Sequence, residues 1–95
     1  MTYPYLAEAA DKATTNLTKH RVSFVNACDV FNDPFAIDVE ERSMDYGEAR
    51  RRIVGFGHGR VLTIIYTERG ENKIRLISAR KATPIERREY ENGQW

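Results

Sequence analysis

Tyr66, Arg69, Arg75 and Arg80 sit on or beside two β-type runs, Val61 to Thr67 and Lys73 to Ala79, joined by Glu68 to Asn72. Runs rich in β-branched residues around a short polar turn predict an antiparallel ribbon over Arg60 to Arg80. A ribbon holds guanidinium groups at fixed spacing, and a guanidinium meets a phosphate with two parallel hydrogen bonds, so the chemistry on offer is the grip of a polyanion. Pairing Glu68 with Lys73 sets Tyr66 opposite Arg75 and Ile64 opposite Ile77 on one face, with Ile65, Thr67, Ile74 and Leu76 on the other. The Tyr66 and Arg75 face is then the binding surface and the apolar set faces the helices. A one-residue slip reverses both assignments. The competing reading of Tyr66 is a structural aromatic with its hydroxyl at the rim.

The sequence holds two histidines, His20 and His58, and one cysteine, Cys28, with no Ser/His/Asp arrangement, paired-carboxylate signature or His/Cys metal spacing. A hydrolytic metalloenzyme is therefore not expected, and neither a metal nor another cofactor is called for. RNA is a substrate that needs neither. Its own 2′-hydroxyl attacks the adjacent phosphate once a protein orients the backbone, moves protons and stabilises the charge that builds on the phosphoryl oxygens. Arginine, lysine, histidine and tyrosine are sufficient for that. Lys19 and His20 close a predicted helix, where a cation is by itself a favourable partner of the helix dipole.

These residues belong to a chain of 95, enough for one domain with a single small core. With 41% hydrophobic and 31% charged residues it reads as an ordinary soluble protein, without an apolar run able to span a membrane. Met1 to Ala10 lacks the basic start and apolar middle of an export signal, and a single cysteine excludes an internal disulfide, so a reducing cytoplasm is the expected location. The net charge of +1 conceals an asymmetry. Residues 1–48 carry four Lys/Arg against nine Asp/Glu, and residues 49–95 carry eleven against five. A basic half on a near-neutral chain points to a local phosphate-binding patch, although solvated strand edges and helix faces would give the same counts.

The elements that must position the basic residues follow from the hydrophobic period. Asp11 to His20 predicts a helix with Asp11 as its cap and Ala13 and Leu17 one turn apart. Ser23 predicts the N-cap of a second helix bearing Phe24, Ala27, Cys28 and Phe31, stopped by Asn32, Asp33 and Pro34. Strands are expected over Phe35–Glu41 and Arg51–Phe56, with a polar connection at Asp45–Glu48 that contains Gly47, and then over the two runs of the ribbon. Gly55, Gly57 and Gly59 read as a hairpin rather than a phosphate loop, because the chain beyond them continues as a strand. Thr83, Pro84 and Glu86 form a capping box for a last helix through Tyr90. The expected fold is α+β: two N-terminal helices, a four-stranded antiparallel β-meander and a C-terminal helix, with the helices on one face and the other face at least partly open.

A wider pattern runs through Asp11-Lys12-Ala13, Asn16, Lys19-His20, Val22-Ser23-Phe24, Val30-Phe31 and Asp33-Pro34, and on through Arg60-Val61-Leu62, Tyr66-Thr67-Glu68-Arg69 and Ile77-Ser78-Ala79-Arg80-Lys81-Ala82 to Glu86 and Tyr90. Over nearly the whole chain this resembles the BrnT family of toxins. The resemblance implies a single RelE-like domain over residues 1–95 that cuts RNA as the toxin of a type II toxin–antitoxin pair. It implies Lys19, His20, Arg69, Arg75 and Arg80 as the RNA-cleaving surface; Tyr66, Lys73 and Lys81, on and beside the ribbon, are expected to bind RNA. Arg21 stands where the family usually has glycine. The implied partners are a BrnA-type ribbon-helix-helix antitoxin, an RNA substrate, and promoter DNA reached only through the antitoxin complex, with no membrane. The expected activity is metal-independent endoribonuclease cleavage by 2′-hydroxyl attack. The alternative is a non-catalytic module that binds RNA or antitoxin on the same basic sheet.

Overall fold

The β-meander forms in the computed structural model, which describes residues 5–6, 10–41, 49–70 and 73–93, with side chains from residue 15 onward. In chain order the elements are β1 (Tyr5–Leu6), α1 (Ala10–His20), α2 (Phe24–Ala27) running into a 3-10 turn (Cys28–Asn32), β2 (Ile37–Glu41), β3 (Arg50–Gly57), β4 (Arg60–Glu68), β5 (Ile74–Lys81) and α3 (Pro84–Asn92). The sheet order is β1-β5-β4-β3-β2, antiparallel from β2 to β5. β1 adds a fifth strand, parallel to β5 through Tyr5–Ile74 and Leu6–Arg75. Two residues are too few to carry a period-2 signal, which is why the sequence did not announce it. The Asp11 cap, the Ala13 side chain, the Asp45–Glu48 connection and the Glu71–Asn72 part of the last turn lie outside the described residues.

Local chemistry sets the ends of these elements. Ser23 caps α2, its hydroxyl accepting from the Asn26 N–H at 3.2 Å. The expected second helix tightens into the 3-10 turn because Val30 has to dock on β3. A Cβ on Gly55 or Gly57 would stand 2.9 Å from a Val30 methyl, so these two glycines admit the turn by having no side chain. His58 and Gly59, with φ of 51° and 84°, form the two-residue hairpin between β3 and β4. Thr83 and Glu86 close the capping box of α3, the Thr83 hydroxyl accepting from Glu86 N–H at 3.2 Å and the Glu86 carboxylate from Thr83 N–H at 2.9 Å.

The β4–β5 register differs from the expected one. Tyr66 pairs with Leu76, Thr67 with Arg75 and Glu68 with Ile74, while beyond an irregularity at Ile65/Tyr66 the pairs are Ile65–Ser78 and Ile64–Ala79. Ile77 is the extra residue, and a β-bulge of this kind shifts every pair on one side of it by one. Tyr66 therefore shares the inner face with Ile64, Leu76 and Ile74, packed beneath Phe24, Ala27 and Val30, and is 3% exposed. Thr63, Ile65, Thr67, Arg75 and Arg80 fall on the other face. That face is not left open along its whole length, because α3 covers Val54 and Thr63 at one end, both buried. Helices thus lie on both faces.

Candidate functional site

α1 is fixed to the sheet by one buried amide. Asn16 donates from Nδ2 to the carbonyls of Val22 and Ala79, each at 2.9 Å, and its Oδ1 accepts from the Ala79 N–H at 3.0 Å. The side chain thereby does for this stretch of β5 what a neighbouring strand would, since β1 covers only Ile74 and Arg75. It also carries the end of α1 toward the end of β5. Lys19 is exposed and His20 half-buried, one turn beyond Asn16, while Arg80 and Lys81 close β5. Arg21 then ends the helix in the left-handed region at φ 59°, and its carbonyl accepts from Arg60 Nη2 at 3.1 Å. A non-glycine residue in this conformation costs about 1–2 kcal/mol.

Arg80 points away from α1, to a carboxylate. Its Nη1 and Nη2 lie 2.7 and 3.1 Å from the two oxygens of Glu86, a bidentate pair. Arg52 Nη1 adds a bond of 3.0 Å and the Thr63 hydroxyl one of 2.8 Å. Burial pushes the Glu86 carboxyl up, but the bonds from Arg80, Thr83 N–H and Thr63 outweigh it and hold the group down to about 2. The same pairing raises the Arg80 guanidinium above its ordinary value. Glu86 is 6% exposed, so it is a buried charge satisfied on all sides.

The other sequence-predicted cations collect at the far end of β5. Arg69 and Lys73 are exposed on either side of the β4–β5 turn, closed by a bond from Arg69 N–H to the Lys73 carbonyl at 2.8 Å. Arg75 is half-buried opposite Thr67. A cavity of about 440 Å³ opens here among Arg50, Arg51, Thr67 and Arg69. From Arg75 to Arg80 the strand advances roughly 16 Å. One phosphate therefore cannot touch both: the expected set is divided into Lys19, His20, Arg80 and Lys81 at one end and Arg69, Lys73 and Arg75 at the other.

Tyr66 is not on the surface. Its ring meets Phe31 edge-on, with centroids 5.1 Å apart and planes at 83°. Its hydroxyl donates to Asp38 Oδ2 at 2.6 Å, while Arg51 Nε holds Asp38 Oδ1 at 3.0 Å. Burial first, then the bond to Asp38, push the phenol well above its ordinary value, so it stays protonated. Tyr66 thus shares Asp38 with Arg51 and belongs to the core, not to the binding surface. Cys28 is likewise inert, burial and the neighbouring Asp29 pushing the thiol up to about 11.

Three partners escaped the sequence reading. Arg52 and Asp38 sit in strands with no local signal of what faces them across the sheet. Asp33, read only as part of a turn, accepts from the Phe56 N–H at 2.7 Å, the Phe35 N–H at 2.9 Å and the Tyr90 hydroxyl at 2.6 Å, tying α3 to β3. Burial raises its carboxyl, and these bonds bring it back below the ordinary value.

Residues 9–86 match the family model described as "Ribonuclease toxin, BrnT, of type II toxin-antitoxin system". Among solved structures the chain is similar to the 1.1 Å crystal structure of the Brucella abortus ribonuclease toxin BrnT, with a TM-score of 0.66 and 21% identity over 83% of this chain and 96% of that one. That likeness is one of fold. No curated protein matches the chain. No helix among the described residues is long and apolar enough to cross a membrane. The family model spans most of the sequence, and the chain belongs to the BrnT family of ribonuclease toxins of type II toxin–antitoxin systems.

Proposed function

We propose that this chain cuts RNA internally and without a metal ion, at the end of β5, with Lys19, His20, Arg80 and Lys81 as the residues that act there. The observation that supports this reading is the Asn16 anchor, which holds α1 against β5 at Ala79, the residue before Arg80. Cleavage by the 2′-hydroxyl requires a proton acceptor for the attacking oxygen, positive charge beside the phosphoryl oxygens and a proton donor for the departing 5′-oxygen. Lys19 and His20 supply the proton transfers, and Arg80 with Lys81 the charge. Arg69, Lys73 and Arg75 hold the strand farther along, and the buried Tyr66 is a support of the fold. The products are a 2′,3′-cyclic phosphate, which opens to a 3′-phosphate, and a free 5′-hydroxyl.

One observation favours the alternative of a binding module that does not cut: the fork of Arg80 is already closed on Glu86. Incubating the purified protein with single-stranded RNA in excess chelator separates the two. Cleavage leaving cyclic or 3′-phosphate ends supports the proposal, and intact RNA, or 5′-phosphate ends, refutes it. The partner is a BrnA-type ribbon-helix-helix antitoxin laid over Arg69, Arg75 and Arg80, blocking RNA by occupancy and charge, and the assembled complex binds promoter DNA. The site of action is the cytoplasm, where messenger RNA is found.

A further inference from the structure

A second pocket lies at the α1 terminus. It measures about 190 Å³ and is lined by Arg21, Ser23, Asn26, His58 and Arg60 over a floor that includes Leu62. At about 30 Å³ per water this is the space of some six waters, enough for a phosphodiester and part of its sugar. No carboxylate lines it. Its polar side chains all carry hydrogen-bond donors: two guanidinium groups, an imidazole, an amide and a hydroxyl, of which the hydroxyl also accepts from Asn26 N–H and the imidazole Nε2 from the Asn26 amide.

The walls come from three separate segments, and two bonds hold them. Arg60 Nη2 is bound to the Arg21 carbonyl at 3.1 Å, which fixes the guanidinium at the rim and leaves its other N–H groups for a ligand. Asn26 Nδ2 stands 3.3 Å from His58 Nε2, joining α2 to the β3–β4 hairpin. Arg21 and His58 are the two non-glycine residues with positive φ among the described residues, at 59° and 51°, and both line this pocket. Neither backbone position has any need of a long cationic or aromatic side chain, and glycine would suit both turns better. What the two residues bring is their side chains.

We infer that this pocket binds a phosphodiester of the RNA strand, a nucleotide or two away from the bond that is cut. The inference rests on the RNA-cleaving reading given above. Leu17 and Arg21 of the pocket flank Lys19 and His20 on α1, and Lys81 pairs with the floor residue Leu62, so the pocket continues from the proposed cutting corner. Cations with no carboxylate among them attract successive phosphates of one strand, and each phosphate neutralised strengthens the salt dependence of binding.

The test uses the whole chain and a labelled oligonucleotide whose 2′-hydroxyls are methylated, so that it binds and cannot be cut. Arg21→Gly removes the guanidinium and relieves the left-handed residue, and His58→Asn removes the imidazole while keeping a residue at ease there. Arg21→Gly is expected to melt no lower than the parent and His58→Asn, which gives up one exposed hydrogen bond, within a few degrees of it, and both are expected to bind the oligonucleotide about tenfold more weakly. For Arg21→Gly the slope of log affinity against log salt should fall by about one. Parental affinity in both variants overturns the pocket and leaves RNA cleavage elsewhere on the surface standing. Failure of the parent itself to bind the oligonucleotide or cleave RNA overturns the RNA reading and this inference with it.

Discussion

Replacing Glu86 with glutamine removes one charge from a buried site that holds two guanidinium groups, a hydroxyl and a backbone N–H. The carboxyl is held from its ordinary 4.5 down to about 2 in the folded chain. Each tenfold change in proton affinity corresponds to about 1.4 kcal/mol, so a neutral group at this position is less favourable by ~3 kcal/mol. Glutamine approximates that neutral group, and against the 5–15 kcal/mol that stabilises a typical domain the loss is large. At roughly 4–8 °C per kcal/mol for a chain of this size, Glu86→Gln is expected to melt ~12–24 °C below the parent at pH 7. The sign with pH is fixed. Because the folded value is depressed, the stabilisation is complete above pH 4.5 and is lost as the pH falls toward about 2. By pH 3 it has dropped to ~1.4 kcal/mol, so the gap between parent and variant should shrink to less than half. Thermal melting at pH 7 reads the first quantity, and chemical denaturation at pH 7 and pH 3 reads the second. A melting loss under about 4 °C, or a gap that does not narrow at pH 3, would refute the network as the lock of α3.

Two further outcomes follow from the core. Tyr66→Phe gives up the 2.6 Å bond to Asp38 and should cost ~1–2 kcal/mol in denaturant while leaving the affinity for an uncuttable oligonucleotide unchanged, since the ring is buried; a loss of affinity with unchanged stability would place Tyr66 on the RNA instead. Gly57→Ala puts a methyl 2.9 Å from a Val30 methyl and 3.0 Å from the Val30 backbone nitrogen, and is expected to cost ~1–3 kcal/mol, whereas Gly59→Ala, with open space around it, should cost only the ~1 kcal/mol or so of its left-handed backbone. Denaturation midpoints of the two variants in the reverse order would contradict the close approach of the 3-10 turn to β3.

The strands and helices were readable from the chain because each carries its own period, cap or turn: Thr83 with Glu86 for α3, Ser23 for α2, a glycine-rich hairpin between β3 and β4. What could not be read was anything decided across the sheet. The bulged residue Ile77 has the same hydrophobic character as its neighbours, so nothing local marks it, yet it moves Tyr66 from the surface to the core. Arg80 illustrates the same limit for the site. Its place at the end of β5 was evident and Glu86 was open to it as a partner that would lock the last helix, but only the fold decides that the guanidinium closes on that carboxylate. The division of Lys19, His20 and Lys81 from Arg69, Lys73 and Arg75 depends on where Asn16 lands, and its landing point is 63 residues along the chain.

That separation bears on when the protein can become harmful. α1 is made before β5, and the backbone that Asn16 grips lies 63 residues farther along. Contacts between segments so far apart form late, after loop closure over most of the chain. During synthesis, chains fold as segments emerge, so a nascent copy carries Lys19 and His20 with no Arg80 or Lys81 to stand beside them. The proposed cutting corner cannot exist on a half-made chain. A ribosome producing this protein therefore works beside an unassembled blade, which is completed only as the last strand leaves the exit tunnel, when an antitoxin already present can meet it.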